Sequence, residues 1–443
     1  MKRTTIFVLF LFWTASVCAD DSKYIQYNLD QLLKKSLFHA DQIKYKFEEI
    51  NLAKTYTKIA RAVLLPKIST QISYSRFWKE FLDQPKWIGS WGINISQSFT
   101  LNGKEFIYYR ISELNRKQTF YDLYRLTETY LFEIVTAYYT VLKTQKSIEI
   151  SEANVRRLSR HQQAVADRLS VNEVAKTALY RAKAELSDAQ TEKKRAINGN
   201  RIARATLARM VCIPNTFEIV TPESTSLSKV SLEKWIKQGL EHRAELKKLD
   251  IADQMAKDHI QVAKGAYWPS VSIEGQYYDS EDSSNDDPDE NISGSITLNY
   301  SFFDGGMRSA EVAEAKIQKK QLRFLIQDTT RNIALEIETA FLELNTQLSL
   351  LSSLKDQLTF AKENYDAVTS QFKYGMATSV DVMDANTLLV TSERKLAEIM
   401  YDIQFAQIKM DYSSGVFLKD FAKRAHLTLE DFRKTIDSSI RQK

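Results

Sequence analysis

The 443-residue sequence has few of the residues that form cross-links, metal sites or tight turns: 2 cysteines, 5 histidines, 6 prolines and 12 glycines. If a leader containing Cys18 is removed, only Cys212 remains, so no intramolecular disulfide can form. The histidines are scattered. The sequence also has no nucleophile–base pairing, metal-ligand spacing or phosphate loop. We therefore predict a fold held by packing, with no catalytic residue, no metal and no cofactor.

Long apolar runs are also scarce. Residues 1–19 combine Lys2 and Arg3, an apolar run and a small residue at Ala19, which is typical of a cleaved signal peptide. We expect cleavage after Ala19; the rival is lipid attachment at Cys18, although Val17 is a poor residue before a lipidated cysteine. No other segment approaches eighteen apolar residues, so no membrane-spanning helix is expected in the mature chain.

The charge is balanced. Removing residues 1–19 takes two basic residues from the total of 61, leaving 59 against 56 acidic ones. A chain so close to neutral, without a basic patch, gives no indication of nucleic acid binding.

The sequence repeats itself at an offset of 203 residues, without gaps. This offset pairs Pro66 with Pro269 and Gly103 with Gly306, and these residue types mark backbone geometry rather than general helical composition. We predict two copies of one structural unit. The expected division is a first repeat over 20–213, a linker over 214–228, a second repeat over 229–416 and a basic, helical tail over 417–443.

Each repeat is predicted to hold a helix, two strands and a long helical hairpin. No proline occurs in 86–213 or 289–443, and a heptad-like apolar stripe runs through the second of these ranges. From Met307 to Phe372 a helix at about 1.5 Å per residue would reach roughly 100 Å. The predicted strands are about 67–78 and 87–100, then 269–278 and 291–303. The predicted hairpins are 104–211 and 307–414, with tip turns at 168–177 and 371–378.

The predicted strands alternate between apolar and short polar side chains. Trp91, Ile93 and Ile95 oppose Asn94 and Ser96, and the strand ending near Phe303 alternates in the same way. A soluble sheet with one solvated face is the alternative, but it would carry Lys and Glu rather than Ser, Thr and Asn. The pattern favours a membrane β-barrel with a wet interior. Four strands are too few to close a barrel, so the chain is expected to oligomerise through its sheet edges.

One acidic segment, Asp279–Asn291, joins the third and fourth predicted strands. We expect an exposed loop interrupted by Pro288. Calcium binding is the alternative, but the spacing lacks the glycine and final glutamate of an EF-hand.

Four motifs, in this order, resemble the TolC-type outer membrane efflux proteins over nearly the whole mature chain. They are Leu29-Asp30-Gln31-Leu32-Leu33, Leu65-Pro66-Lys67-Ile68-Ser69, Phe303-Asp304-Gly305-Gly306-Met307-Arg308 and Tyr374-Gly375-Met376-Ala377-Thr378-Ser379-Val380-Asp381-Val382-Met383-Asp384-Ala385. The resemblance implies an α+β membrane protein: a homotrimer with a 12-stranded β-barrel, four strands per chain, in outer membrane lipid, continued by an α-helical coiled-coil barrel through the periplasm. Its implied partners are a periplasmic adaptor and an inner-membrane pump.

The resemblance also implies site residues. Asp381 and Asp384 would form the periplasmic aperture, where carboxylate rings favour cations; the alternative is that they complement the helix dipole. The adaptor contacts would lie at the hairpin tips, unless those residues form ordinary turns: Leu169, Val171, Asn172, Phe372, Tyr374, Gly375 and Met376.

The first repeat departs from the family at Asn172, where a glycine is usual, and at Ala178, where an acid is common. Ala377 likewise stands where a basic residue can occur. A closed state latched by ion pairs between the hairpins is therefore not expected.

The junction between strand and helix is assigned to Gly103, Gly305 and Gly306, which allow the backbone to change direction. The function expected is a passive exit duct for efflux or type I secretion. The alternative is an exported soluble coiled-coil adaptor or scaffold, which would need no outward band of tryptophan.

Overall fold

The computed structural model describes residues 25–78, 85–222, 231–283 and 285–425, with only the backbone of Ile25 and of residues 285–288. The expected leader, its Cys18, part of the expected linker and residues 426–443 lie outside the described part.

The described chain forms nine helices and six strands. In chain order they are β1 Ile25–Tyr27, α1 Leu29–His39, α2 Asp41–Ala62, β2 Lys67–Arg76, β3 Trp87–Thr100, α3 Lys104–Ser170, α4 Lys176–Val211, β4 Phe217–Ile219, α5 Leu232–His242, α6 Ala244–Gly265, β5 Ser270–Asp282, β6 Asn285–Asn299, α7 Met307–Lys373, α8 Ser379–Ser413 and α9 Phe417–Arg424. No helix among the described residues is both long and apolar enough to cross a bilayer.

The tandem repeat is visible in the element bounds. Helices α3 and α7 both contain 67 residues and begin 203 positions apart. The same offset relates α1 to α5 and α2 to α6, each pair equal in length. The chain thus builds the same helix–strand–strand–hairpin unit twice.

Four strands form one antiparallel sheet in the order β2-β3-β5-β6. Directly opposed residues share a face, so the register decides which side chains lie together. One face carries Ile68, Ile72, Tyr74, Trp91, Ile93, Ile95, Phe99, Val271, Ile273, Tyr277, Ile292, Ile296 and Leu298. The other carries Ser69, Gln71, Ser73, Ser90, Asn94, Ser96, Ser98, Ser272, Glu274, Gln276, Ser293, Ser295 and Thr297.

Nothing in the described chain covers the apolar face of this sheet. Ile72 is 80% exposed and Ile292 is 84% exposed. A soluble fold buries such a face, because each large aliphatic side chain gains roughly 1.5–3 kcal/mol on leaving water. The face therefore requires an apolar environment outside the chain.

The predicted ends of the second strand pair are wrong. Strand β6 ends at Asn299, and the β5–β6 ladder continues through most of the acidic segment that was predicted to be a loop, pairing Asp279 with Glu290 and Asp282 with Asn285. Acidic side chains can occupy strand positions where both faces meet water. Pro288 lies in β6, an edge strand of the described sheet, and edge strands are where sheets tolerate proline.

A hydrophobic core built from several helices and short strands surrounds the middle of α3. It contains Leu32, Leu131, Tyr138, Leu207, Phe217 and Phe421, from α1, α3, α4, β4 and α9. Two expectations change here. The expected linker contains β4, which pairs in parallel with β1, and the start of the expected tail is α9, whose Phe417 and Phe421 are buried in this core.

The helices follow the order of the strands. Next to the sheet the order is α2-α3-α6-α7, and towards the hairpin tips α3 packs on α4 and α8 while α7 packs on α8. The outermost helices of this layer are therefore α2 and α4 on one side and α7 on the other.

Candidate functional site

The sheet passes into the helical part through two glycine junctions. Gly305 and Gly306 have φ of +69° and +92°, which residues with a side chain rarely adopt. Asp304 fixes this turn: its Oδ1 accepts from the Gly306 N–H at 3.1 Å, and its Oδ2 accepts from the Arg308 N–H at 3.0 Å and Nε at 2.8 Å. These donors, the Arg308 backbone N–H first, lower the pKa of Asp304.

In the first repeat the turn from strand to helix contains a single glycine. Gly103 has φ +69°, and Asn102 Oδ1 accepts from the Lys104 N–H at 3.1 Å. In both repeats the N-cap residue is a glycine, and a short polar side chain just before it accepts a backbone N–H at the start of the 67-residue helix. The three predicted junction glycines lie at the two turns that join sheet to helix.

Aromatic side chains lie at both ends of the apolar face. At one end Tyr74 stacks on Trp87, with their ring centres 6.1 Å apart. Trp91 packs against Tyr277, with their ring centres 5.1 Å apart. At the helix end are Phe99 and, beyond β6, the exposed Phe302. Eight residues separate Trp91 from Phe99, about 20 Å for a strand tilted by roughly 40°. An apolar band with aromatic girdles is typical of a transmembrane β-barrel wall.

The hairpin tips are two short turns side by side. Asn172 has φ +59°, a left-handed conformation that asparagine tolerates better than most residues, and it replaces the glycine of the other turn, Gly375 at φ +80°. Helix α8 starts with a capping box between Thr378 and Asp381.

The two predicted aperture residues differ in their contacts. Asp381 Oδ2 accepts from the Thr378 N–H and Oγ1–H, each at 2.7 Å, and these bonds lower the pKa of its carboxyl, the hydroxyl most. Asp384 is exposed one turn further along α8 and makes no hydrogen bond or ion pair within the described part of the chain. Asp381 therefore caps the helix, whereas Asp384 presents an unpartnered carboxylate.

The predicted tip contacts divide by exposure. Val171, Tyr374 and Met376 are exposed, Asn172 and Gly375 form the turns, and Leu169 is half-buried. Phe372 is only 3% exposed, because it packs between the hairpins against Val165 and Val382. Phe372 is thus a core residue of the tip and is removed from the candidate contact surface.

Arg168 ties the two turns together. Its Nη1 donates to the Phe372 carbonyl at 2.7 Å, its Nε donates to Glu173 Oε2 at 2.8 Å, and its guanidinium lies 4.9 Å from the Phe372 ring centre. Arg168 is therefore a second donor to the Phe372 carbonyl, which also accepts from the Gly375 N–H at 3.0 Å, and it pairs with Glu173 in its own turn.

A polar ladder, defined here as Asn154, Arg157, His161, Ser379, Asn386 and Glu393, joins α3 to α8 above the tip. Arg157 donates to Asn386 Oδ1 at 2.9 Å and to both Glu393 oxygens at 3.2 and 2.9 Å. Asn386 Nδ2 donates to Asn154 Oδ1 at 2.7 Å. His161 Nε2 lies 2.8 Å from Ser379 Oγ, and burial lowers the pKa of His161.

This ladder includes an ion pair between the two hairpins of one chain, above the tip. The expectation that no ion pairs latch a closed state at Ala178 and Ala377 stays a prediction. Arg157 lies in the first hairpin and Glu393 in the second, and their paired side chains are mostly buried. Lys143 and Asp402 form another ion pair between α3 and α8. The hairpins are joined above the tip rather than at Ala178 and Ala377.

Sequence reasoning missed the ladder although its spacing was visible. Asn154 and His161 are seven residues apart in α3, and Ser379, Asn386 and Glu393 follow the same period in α8. Polar residues at heptad positions of a buried helix seam fix register at some cost in stability.

A charged node lies further up, defined here as Arg125, Glu128, Arg243, Glu245 and Glu336. Arg243 donates to both Glu336 oxygens at 3.1 and 2.8 Å, to Glu245 Oε1 at 3.0 Å and to the Ser413 carbonyl at 3.0 Å. Arg125 bonds Glu245 Oε1 at 2.8 Å and Glu128 Oε2 at 3.3 Å. The node connects α3, α6, α7 and the end of α8.

Metal-binding chemistry is not indicated by the geometry. In the parts of the chain that the structure describes, no three His, Cys, Asp or Glu side chains are grouped so that they could hold an ion.

A sheet with an uncovered apolar band, continued by 67-residue helices that end in paired tips, defines the class of outer membrane channels with a periplasmic helical extension. The family model described as outer membrane efflux protein matches residues 235–416 of this chain.

Relatives of this family are similar over most of the chain. The outer membrane protein TolC of Vibrio cholerae is 21% identical over 371 residues, covering 80% of this chain and 83% of that protein. The alkaline protease secretion protein AprF of Pseudomonas aeruginosa is 18% identical over 395 residues, covering 85% and 82%. The Campylobacter jejuni CmeC outer membrane channel has a TM-score of 0.77 at 17% identity, covering 91% of this chain and 90% of that one. This last likeness shows the fold.

Proposed function

We propose that this chain is one protomer of a homotrimeric outer membrane channel, the exit duct of a tripartite efflux or type I secretion system. The duct itself is passive: substrates cross its polar interior from the periplasm to the exterior. Energy and direction come from an inner-membrane pump, coupled through a periplasmic adaptor.

The observation that carries this proposal is the uncovered sheet. Its apolar face suits lipid, and its opposite face of Ser, Thr, Asn and Gln suits a water-filled lumen. Its edges, β2 and β6, have no partner strand in the described chain. Since hydrocarbon tolerates no unpaired edge, β2 of one copy would pair with β6 of the next, and three copies give twelve strands.

The helices beside these edges support the same arrangement. Leu52 on α2 and Ile317 on α7 are both exposed, and each lies ten residues from the sheet end of its helix, at Ala62 and Met307. The exposed Tyr45 and Phe324 each lie seventeen residues from those ends. At 1.5 Å per residue the pairs meet about 15 Å and about 25 Å from the sheet. Apolar side chains at matched heights on opposite edges suit packing of one copy on the next.

The tips supply the other functional surfaces. Val171, Tyr374 and Met376 are exposed apolar side chains at the end of the hairpins, and we assign them to the adaptor contact. Asp384 is assigned to the aperture, where three copies of its carboxylate would favour cations. The uncovered tryptophan-bearing face of the sheet argues against the soluble adaptor alternative, because a soluble protein would bury it.

Disulfide trapping tests the proposed protomer contact. In a Cys212→Ser background, Leu52→Cys with Ile317→Cys should cross-link into covalent trimers on non-reducing gels of outer membrane fractions. Within one chain α2 and α7 are separated by α3 and α6, so a bond between these cysteines must link two copies.

The matched control pairs Leu52→Cys with Phe360→Cys, an exposed residue near the other end of α7, which should give no cross-link. Recovery of the protein in the soluble periplasmic fraction, or equal cross-linking by both pairs, would contradict the proposal.

A further inference from the structure

An apolar cavity of about 540 Å³ lies between α1, α3, the α5–α6 corner and α9, away from the tips and the sheet. Its walls include Leu37, Phe120, Leu123, Tyr124, Leu418 and Phe421. A volume in this range and a mostly apolar lining are typical of sites for small organic ligands.

The inner part of the cavity contains polar atoms without partners. Thr127 is fully buried, and its Oγ1 has no hydrogen-bond partner. Nδ1 of His242, another lining residue, is also buried and unpartnered. Buried polar atoms are almost always satisfied in native proteins, so these two atoms are positions where the cavity can hold water beside the apolar body of a ligand.

The solvent side of the cavity is positively charged. The exposed lining residues Lys247, Lys419 and Lys423 face a single acidic lining residue, Glu241. Lys247 and Lys419 make no ion pair within the described ranges, and Lys423 lies 3.8 Å from Asp420. Cations left unpaired beside an apolar cavity complement a ligand with an apolar body and one negative charge.

We propose that this cavity is a binding site for an amphipathic organic anion. The apolar body occupies the space between α3 and α9, and the carboxylate lies at Lys247 and Lys419. Such a ligand ties α9, the last helix that the structure describes, to the α5–α6 corner, and this site is independent of the channel's cargo.

Photolabelling of the intact protein tests the site directly. A dodecanoate carrying a diazirine on its chain is irradiated with the purified full-length protein in neutral detergent, and labelled peptides are mapped by mass spectrometry. The label should fall on peptides of α9 and of α3 near 120–127, and excess dodecanoate should compete it away.

Two comparisons separate an anion site from a merely apolar surface. Diazirine probes of the same chain length with an alcohol or a trimethylammonium head should label these peptides about tenfold less, the ratio expected when a charge-assisted hydrogen bond is lost. Lys247→Glu with Lys419→Glu should cause a similar loss, whereas Lys176→Glu with Lys194→Glu, on exposed positions of α4, should not.

Each contrary outcome overturns the proposal. Equal labelling by the three head groups would mean a nonspecific apolar surface, and labelling confined to other peptides would place the ligand elsewhere. Absence of labelling in the intact chain would mean that the cavity is closed to ligands. Circular dichroism and oligomer mass of each variant separate loss of binding from loss of folding.

Discussion

At the scale of single residues, the junction glycines show the strongest link between sequence and backbone. Gly306 has φ +92°, and no atom lies within 4 Å of the position where a Cβ would stand. The glycine is therefore required by backbone conformation and not by crowding. Its aligned partner Gly103 has φ +69°, so the same requirement holds in both repeats.

We predict that Gly306→Ala lowers the free energy of unfolding by about 1–2 kcal/mol, the usual cost of a left-handed backbone for an L-residue. Thermal unfolding followed by circular dichroism measures this. Gly199→Ala is the control: Gly199 lies inside α4 with open space around it, so alanine should stabilise the helix by up to about 1 kcal/mol. Equal effects of the two variants would contradict the backbone argument.

Glu128 is a fully buried carboxyl whose Oε1 has no hydrogen-bond partner. Burial raises its pKa from 4.5 to about 7, while the charges of Arg125 and Arg243 lower it and that of Glu245 raises it. Between those values the folded protein holds a proton that the unfolded chain releases. The stability from this group is therefore complete below about pH 4.5 and is lost as the pH rises through about 7.

We predict that Glu128→Gln removes this dependence. The stability of the variant relative to the wild type should rise from pH 5 to pH 8 by up to about 3 kcal/mol, the equivalent of the pKa shift. Thermal melts at the two pH values measure it, with Glu133→Gln, on an exposed position of α3, as the control. Asp411, whose pKa burial raises to about 6, acts in the same direction but is present in all variants. A constant difference at both pH values would show that Glu128 does not titrate in this range.

At the scale of elements, the polar ladder holds α8 against α3. Arg157 and Glu393 lie in different hairpins and are largely buried, and Asn386 bonds both Arg157 and Asn154. Because the three bonds of Arg157 depend on its planar fork, lysine cannot replace them all.

We predict that Arg157→Ala accelerates amide hydrogen exchange in residues 379–393 by about tenfold or more, since Asn386 and Glu393 lose a buried partner. Arg157→Lys should fall between this variant and the wild type. Arg201→Ala, at an exposed position of α4, should leave exchange in this segment unchanged. Unchanged exchange in Arg157→Ala would mean that apolar packing alone holds the hairpins together.

The sequence predicts some elements better than others, for physical reasons. The long helices are located by their proline-free ranges, their heptad-like apolar stripes and the repeat offset of 203 residues. These signals suffice because helix formation depends mainly on residues that are close in sequence. The end of β6 was misplaced because strand length depends on partner hydrogen bonds, which allow Pro288 and acidic residues in an edge strand. The burial of Phe372 and the pairing of Arg157 with Glu393 depend on contacts across more than 200 residues, and no local pattern specifies such contacts.

At the scale of the whole molecule, the described part of a single chain leaves sheet edges and apolar surfaces without partners. Within the residues that the structure describes, the sheet has two unpaired edges and an uncovered apolar face, and exposed apolar side chains lie along α2 and α7. The proposed arrangement of identical copies around one axis in a lipid bilayer would meet each of these deficiencies. The alternation of side chains predicted the two faces, and the register of the strands aligns them across all four.

The central claim is that these copies enclose a continuous water-filled duct. Single-channel recording of the protein purified from outer membranes and inserted into planar bilayers tests it most directly. We predict discrete steps of one uniform size that prefer cations, with the preference reduced in Asp384→Asn. Inserted protein that carries no current, or conductance steps of varied size from an unclosed assembly, would contradict the account.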